Sequence, residues 1–252
     1  KRLDEIFSLK RKYGNSIEEI LKYKDELELE INNIENMEDI NNKLKNKKKK
    51  LEEKMNVMCN EMDIIRKDSA LYLSKKINKE LQELEMIHSK FSVHIEKMQE
   101  SEFNQNGLNK VEFMICTNTG EEEKELSRIA SGGEMSRIML AIKTVLADVD
   151  EVPILIFDEI DTGISGKAAK TVAEKMKIIS SKHQVICVTH LASIAAKGDY
   201  NYYISKSVKD NKTTTSVRNL NEEETIKEIA RIANGDITEV AIANARELRK
   251  AV

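Results

Sequence analysis

Along the first ninety residues, apolar side chains recur in a narrow stripe at helical spacing. Ile17, Ile20, Leu27, Ile31 and Ile34 form one run, and Leu51, Met55, Met58, Met62 and Ile65 form a second. Two apolar positions in every seven make a coiled-coil seam rather than the broader face of a helix in a globular core. The runs are out of phase: counting sevens from Ile34 predicts a core position at Asn41, yet the apolar residue is Leu44. The polar stretch 36–42 is therefore expected to hold a stammer, a kink or a tight reversal. Upstream, Tyr13-Gly14-Asn15 reads as a helix stop, and Ser16-Ile17-Glu18-Glu19 matches the S-x-x-E capping box that restarts one. One straight helix from 16 to about 88 would span on the order of 110 Å. Such a stripe cannot bury itself, so it predicts a second strand. A part of the protein upstream of this sequence is favoured over a hairpin at 36–42 or another subunit.

Beyond residue 90 the period changes. Phe91, Val93 and Ile95 alternate with polar residues, as do Val111, Phe113 and Ile115, which predicts two strands. A helix near 134–148, an apolar strand at 154–157, a helix near 167–180 and a strand at 184–188 follow. Strand signals at 202–206 and 213–218 and two closing helices complete the reading. Strand–helix–strand units with unalternating apolar strands predict an α/β fold around a mainly parallel, covered sheet. The division expected is a coiled-coil arm over 1–90 and an α/β lobe over 91–252.

Composition agrees with this division. Charged residues make up 34% and aromatics 4% of the 252, the lone proline is Pro153, and eight of the nine glycines follow residue 106. Long helices suit that mixture better than a β-sandwich. No run approaches 20 apolar residues, so no membrane-spanning helix is expected. Cys59, Cys116 and Cys187 are scattered, which fits a reducing cytosol, and the four histidines lack metal spacing. The sequence opens Lys1-Arg2-Leu3-Asp4 and is expected to be a piece of a larger protein.

Three short segments carry candidate chemistry. Ile154-Leu155-Ile156-Phe157-Asp158-Glu159 is an apolar strand ending in two carboxylates, at the strand end where α/β sheets place ligands. Asp158 suits Mg²⁺, directly or through water, and Glu159 suits orienting and deprotonating a water that attacks a γ-phosphate. A plain helix-capping Asp-Glu pair is the competing reading. Ser131-Gly132-Gly133-Glu134 opens an apolar helix, and glycine N–H groups at a helix N-terminus suit an anion; a simple N-cap and turn competes. Thr189-His190-Leu191 follows the next apolar strand, so His190 falls at the same sheet edge, as phosphate sensor or as a structural histidine. A G-x-x-x-x-G-K-[ST] phosphate cradle does not occur in the sequence.

These segments resemble the motifs of ABC-type ATPases in that family's order: Ile129-Ala130-Ser131-Gly132-Gly133-Glu134 is similar to the signature, 154–159 to the Walker B strand, and His190 to the switch histidine. The longer strings 129–143 and 157–166, with Leu9-Lys10-Arg11-Lys12-Tyr13-Gly14, are similar to SMC-like bacterial DNA repair ATPases over essentially the whole sequence. Ser165 stands where SMC proteins and transporters usually carry Asp in the D-loop, and Ala192 where proline is usual after the histidine. The resemblance implies one arm and the C-terminal lobe of an ABC/SMC-type head, the Walker A motif lying upstream. It implies a homodimer of heads sandwiching ATP, with Ser131, Gly132 and Gly133 contacting the γ-phosphate held by the other head. Asp158 would support Mg²⁺, Glu159 and His190 would be catalytic, and Ser165 would lie in the D-loop. The partners implied are DNA and the upstream N-terminal half of the same protein, in the cytoplasm at the nucleoid and with no membrane. This sequence alone is expected to be inactive as an ATPase. A non-catalytic scaffold with a dimerising head and a transporter ATPase subunit are the alternatives. The basic run 43–50 is either a phosphate-binding patch or a solvated helix face.

Overall fold

In the computed structural model, residues 1–99, 102–129, 131–209 and 212–250 are described. Ala130, within the expected signature string, lies outside the described residues. The chain divides into two compact units, Lys1–Ile64 and Ile65–Val252.

The first unit is helical. Helix α1 covers Arg2–Tyr13 and α2 covers Ile17–Glu83. The stop and restart between them follow from local chemistry. A Cβ at Gly14 would fall 2.8 Å from Glu19 Cβ, so only glycine fits. The Glu19 N–H donates to Ser16 Oγ at 3.1 Å while the Glu19 carboxylate accepts from Asn15 N–H at 2.7 Å. Tyr13 and Tyr23 stack across the turn at 6.0 Å. Residues 36–42 carry unbroken helix, so no tight reversal occurs there and the phase change is absorbed within continuous backbone hydrogen bonding. Leu27, Ile31, Ile34, Leu44, Leu51 and Met58 stay exposed along the unit.

In the second unit the last turns of α2 turn inward. Ile77 and Leu81 are fully buried, joined by Leu84 and Met86 beyond the helix end. Antiparallel strands β1 (Lys90–Lys97), β2 (Asn109–Cys116) and the short β3 (Lys124–Glu125) form one sheet. Asn78 ties α2 to its edge, its amide donating to Phe91 O and accepting from Phe91 N–H, both at 2.8 Å. Helix α3 (Gly132–Leu146) leads into β4 (Ile154–Phe157), α4 (Gly166–Ile179) and β5 (Gln184–Cys187). Strands β4 and β5 pair in parallel, Ile154 opposite Gln184 and Phe157 opposite Cys187. This is the α/β unit the sequence predicts. Parallel pairing among the described residues is confined to this pair, whose apolar strands alternate in burial. Leu155 and Phe157 join the core with α3 and α4, while Ile154 and Ile156 are exposed on the opposite face.

His183 is buried beside β5, its Nδ1 2.7 Å from Val152 O and its Nε2 3.3 Å from Ala147 O, which pins the α3–β4 connection. After a short α5 (Ala192–Ala195), hairpin β6–β7 (Tyr202–Lys209 and Lys212–Asn219) is followed by α6 (Glu222–Asn234) and α7 (Glu239–Lys250). A small second core of Ala196, Ile229, Ala230, Ala241 and Ala245 holds these helices. Arg249 locks α7 by donating to Ala196 O, Gly198 O and the Glu222 carboxylate.

Candidate functional site

The parallel register decides the site. With Phe157 opposite Cys187, the residues that follow β4 and β5 emerge at one sheet edge: Asp158 and Glu159 from the first, Thr189 and His190 from the second. The start of α3 reaches the same place, because the helix runs out from Ser131 and β4 runs back. Ser136 Oγ donates to Asp158 O at 2.7 Å. The buried guanidinium of Arg137 donates to Ile160 O at 3.3 Å and Thr162 O at 2.8 Å. Burial pushes the Arg137 guanidinium below its ordinary range, the nearby charge of Glu134 opposing that shift.

The two glycines are explained by this packing. A Cβ at Gly132 would stand 2.3 Å from Glu159 Oε2, so the carboxylate lies over the N-terminus of α3, where the helix dipole favours an anion. At Gly133, which is buried, a Cβ would meet Glu159 O at 3.0 Å and Thr162 Cβ and O at 3.1 Å. Glu159 itself has φ 55°, a left-handed backbone uncommon outside glycine that recurs at functional turns. Its N–H donates to Asp158 Oδ1 at 2.9 Å, and its carbonyl accepts from Thr162 N–H at 3.0 Å.

Ser131 is the N-cap residue of α3 in an extended conformation, but its side chain makes no capping hydrogen bond. Its hydroxyl is thus exposed at the helix start, unlike an ordinary N-cap serine. Ser165 holds the same position before α4 and also makes no side-chain cap. The site brings Asp158, Glu159, Gly132 and Gly133 together and sets the Thr189–His190 segment on the neighbouring strand. Cys187, the last residue of β5, has its thiol pushed up to about 12 by burial first and by the charges of Asp161 and Asp158 second.

Three residues at this edge, Ser136, Arg137 and Asp161, fall within the strings that carry the resemblance but have no role assigned from the sequence. Asp161 is 3% exposed, accepts from Thr189 Oγ1 and His190 N–H, and faces His190 Nδ1. The third acid of Asp158-Glu159-Ile160-Asp161 and a cation within the apolar face of α3 were the available signals.

Among the described residues, no three or more His, Cys, Asp or Glu gather as a metal cage. Asp158, exposed at the strand end, fits the way Mg²⁺ is commonly held, by one or two carboxylates with water and substrate phosphates. No helix is long and apolar enough to cross a membrane among the described residues.

No family model matches the chain. It is 40% identical to the DNA repair protein RecN of Bacillus subtilis, over 99% of this chain and 46% of that protein. It is also 40% identical to the RecN of Halalkalibacterium halodurans, over 98% of this chain and 44% of that one. The chain thus spans under half the length of these relatives. A solved Smc head domain with a coiled coil and joint from Pyrococcus yayanosii is similar at 22% identity with a TM-score of 0.45, covering 86% of this chain and 42% of that one. That likeness is loose.

Proposed function

We propose, from the premise that this chain is homologous to the RecN DNA repair proteins along nearly all its length, that it is the C-terminal half of an SMC-like ATPase acting in double-strand break repair. Residues 1–90 would form a coiled-coil arm and 91–252 the C-terminal lobe of the head. The observation that carries this reading is the meeting of the β4 carboxylates with the segment after β5 at one sheet edge.

Each residue then has a task its setting suits. Asp158 would hold Mg²⁺ through a bridging water, as an ion that keeps several waters and binds one or two carboxylates beside substrate phosphates is commonly held. Bound there, the ion would neutralise charge developing on the phosphate oxygens. Glu159 would accept a proton from the attacking water, and His190 would contact the γ-phosphate. Ser131, whose hydroxyl is not consumed in a cap, would donate with Gly132 and Gly133 to ATP carried by the other head of a homodimer. Ser165 would line that head–head contact. Nucleotide-dependent engagement and separation of the heads would couple ATP to DNA in the cytoplasm, at the nucleoid. The sequence holds no G-x-x-x-x-G-K-[ST] cradle, so this chain alone is expected to show no turnover, and adding the upstream half should restore it.

The test is a pair of substitutions in the full-length protein. Glu159→Gln keeps size and hydrogen bonding but cannot take the proton, so turnover should fall about 10²-fold or more while an ATP-bound dimer accumulates. Asp158→Asn should weaken Mg²⁺–ATP binding and yield no such dimer. Sedimentation with ATP and Mg²⁺ separates the two outcomes. A Glu159→Gln protein that stays monomeric, or hydrolyses ATP at the parent rate, removes the base assignment and means that another group activates the water.

A further inference from the structure

Asp161 is the least exposed carboxylate at the site, and what it touches is specific. Its Oδ2 accepts from Thr189 Oγ1 at 2.5 Å and from His190 N–H at 2.8 Å, and lies 3.1 Å from His190 Nδ1. Thr189 Oγ1 accepts in turn from Leu191 N–H at 3.0 Å. One buried acid therefore gathers the donors of the segment after β5. A carboxylate removed from water is costly unless its hydrogen bonds are met, and here they are met by that segment.

Two of these contacts staple the loop, and they would suffice if loop stability were the whole role. The third reaches the imidazole, at one nitrogen only. The His190 side chain is otherwise 72% exposed. The hydrogen bond made by one ring nitrogen sets what the other presents, and an exposed ring without such a bond samples several orientations. We propose that Asp161 is the positioning residue for His190, holding Nδ1 against its carboxylate so that Nε2 is turned to the γ-phosphate of ATP. The part concerning ATP rests on the ATPase reading above; the orientation of the ring does not.

Both parts are tested with Asp161→Asn, which keeps an oxygen to accept from Thr189 and His190 N–H but loses the charge at Nδ1. In the full-length protein kcat should fall about 10-fold or more while KM for ATP moves less than about 3-fold, the split expected of a lost transition-state contact. Asp161→Asn combined with His190→Ala should be no slower than His190→Ala alone, because residues acting through one another are not additive. Thr189→Val, which removes the hydroxyl staple and leaves the ring contact, should keep kcat within about 2-fold. In this chain, ¹⁵N spectra of the His190 ring should show a hydrogen-bonded Nδ1 that is weakened in Asp161→Asn, whose oxygen still accepts but without the charge. Losses that multiply in the double variant, or a Thr189→Val loss as large as that of Asp161→Asn, overturn the proposal. A full-length parent without turnover sinks the ATPase reading alone, and the ring spectrum then decides the orientation. Should Asp161→Asn not fold, the parent spectrum decides it: an Nδ1 without a hydrogen-bonded signature overturns the proposal.

Discussion

Gly132 and Gly133 are neighbours in sequence but carry different constraints. The atom that a Cβ at Gly132 would strike is the far end of the Glu159 side chain, which can swing away. At Gly133 it would strike the Glu159 and Thr162 carbonyls, and Thr162 is pinned by Arg137. Alanine gains up to about 1 kcal/mol over glycine within a helix, which partly offsets any clash. Gly133→Ala is therefore expected to destabilise the chain by about 1–3 kcal/mol, and Gly132→Ala to leave stability within about 1 kcal/mol. Urea unfolding of both variants checks the contrast, and equal effects would mean the Glu159–Thr162 turn yields as easily as a side chain. At this scale the sequence marks candidate residues for chemistry but not what holds them. Spacing placed Ser131, Asp158, Glu159 and His190 in order along the chain. It could not show that Arg137 and Asp161 reach across to fix the turn and the histidine, because those contacts join residues 23 to 29 positions apart.

Helix α2 shows how far periodicity reads an element. The steps of four and three that mark Leu51, Met55 and Met58 recur at Ile77, Leu81 and Leu84, yet Leu51 is 53% exposed and Leu81 is fully buried. The pattern specifies a helix with an apolar stripe; what covers the stripe depends on elements distant in sequence. The turn at the end of α2 is bound to α4 by charge as well. Lys175 Nζ lies 2.7 Å from Glu80 and 2.5 Å from Glu83, and the Lys175 and Glu80 side chains are largely buried. Burial opposes the Lys175 charge, but the two carboxylates outweigh it and hold the ammonium above its ordinary 10.5. The hydrogen bond from Lys175 holds Glu83 below its ordinary 4.5. The raised lysine contributes fully below pH 10.5 and its share is lost as pH rises through the folded-state value. The depressed glutamate contributes above pH 4.5 and its share is lost as pH falls through its folded-state value. Lys175→Met should thus cost about 1–3 kcal/mol at neutral pH, leaving Glu80 without its cation. The gap to the parent should narrow in acid below the carboxylate range and again in strong alkali. Thermal melts across pH check this, and a gap that does not change with pH would assign the loss to packing.

For the whole molecule, the change in sequence character near residue 90 and the division of the folded chain do not coincide. Composition and period place the change from helical stripe to alternating strands at about 90, where β1 begins. Packing groups residues from Ile65 onward in one unit, and its core includes Ile77, Leu81, Leu84 and Met86 beside Phe91, Ile138 and Val172. An arm is legible as a run of one period. The root of that arm is not, since its apolar residues look like the rest of the stripe until the lobe surrounds them. Two truncations distinguish these boundaries. A chain of 65–252 keeps the whole core of the second unit and should melt cooperatively within a few degrees of the parent. A chain of 91–252 loses four buried apolar side chains at once. At about 2–5 kcal/mol for each large side chain removed from a core, that sum exceeds the 5–15 kcal/mol by which most domains are stable only at its upper end, but reaches it in any case. The 91–252 chain should accordingly lack a cooperative transition and bind a hydrophobic dye at 25 °C. If instead it melts like 65–252, the α2 residues merely rest on a lobe that is complete without them, and the lobe begins where the strands do.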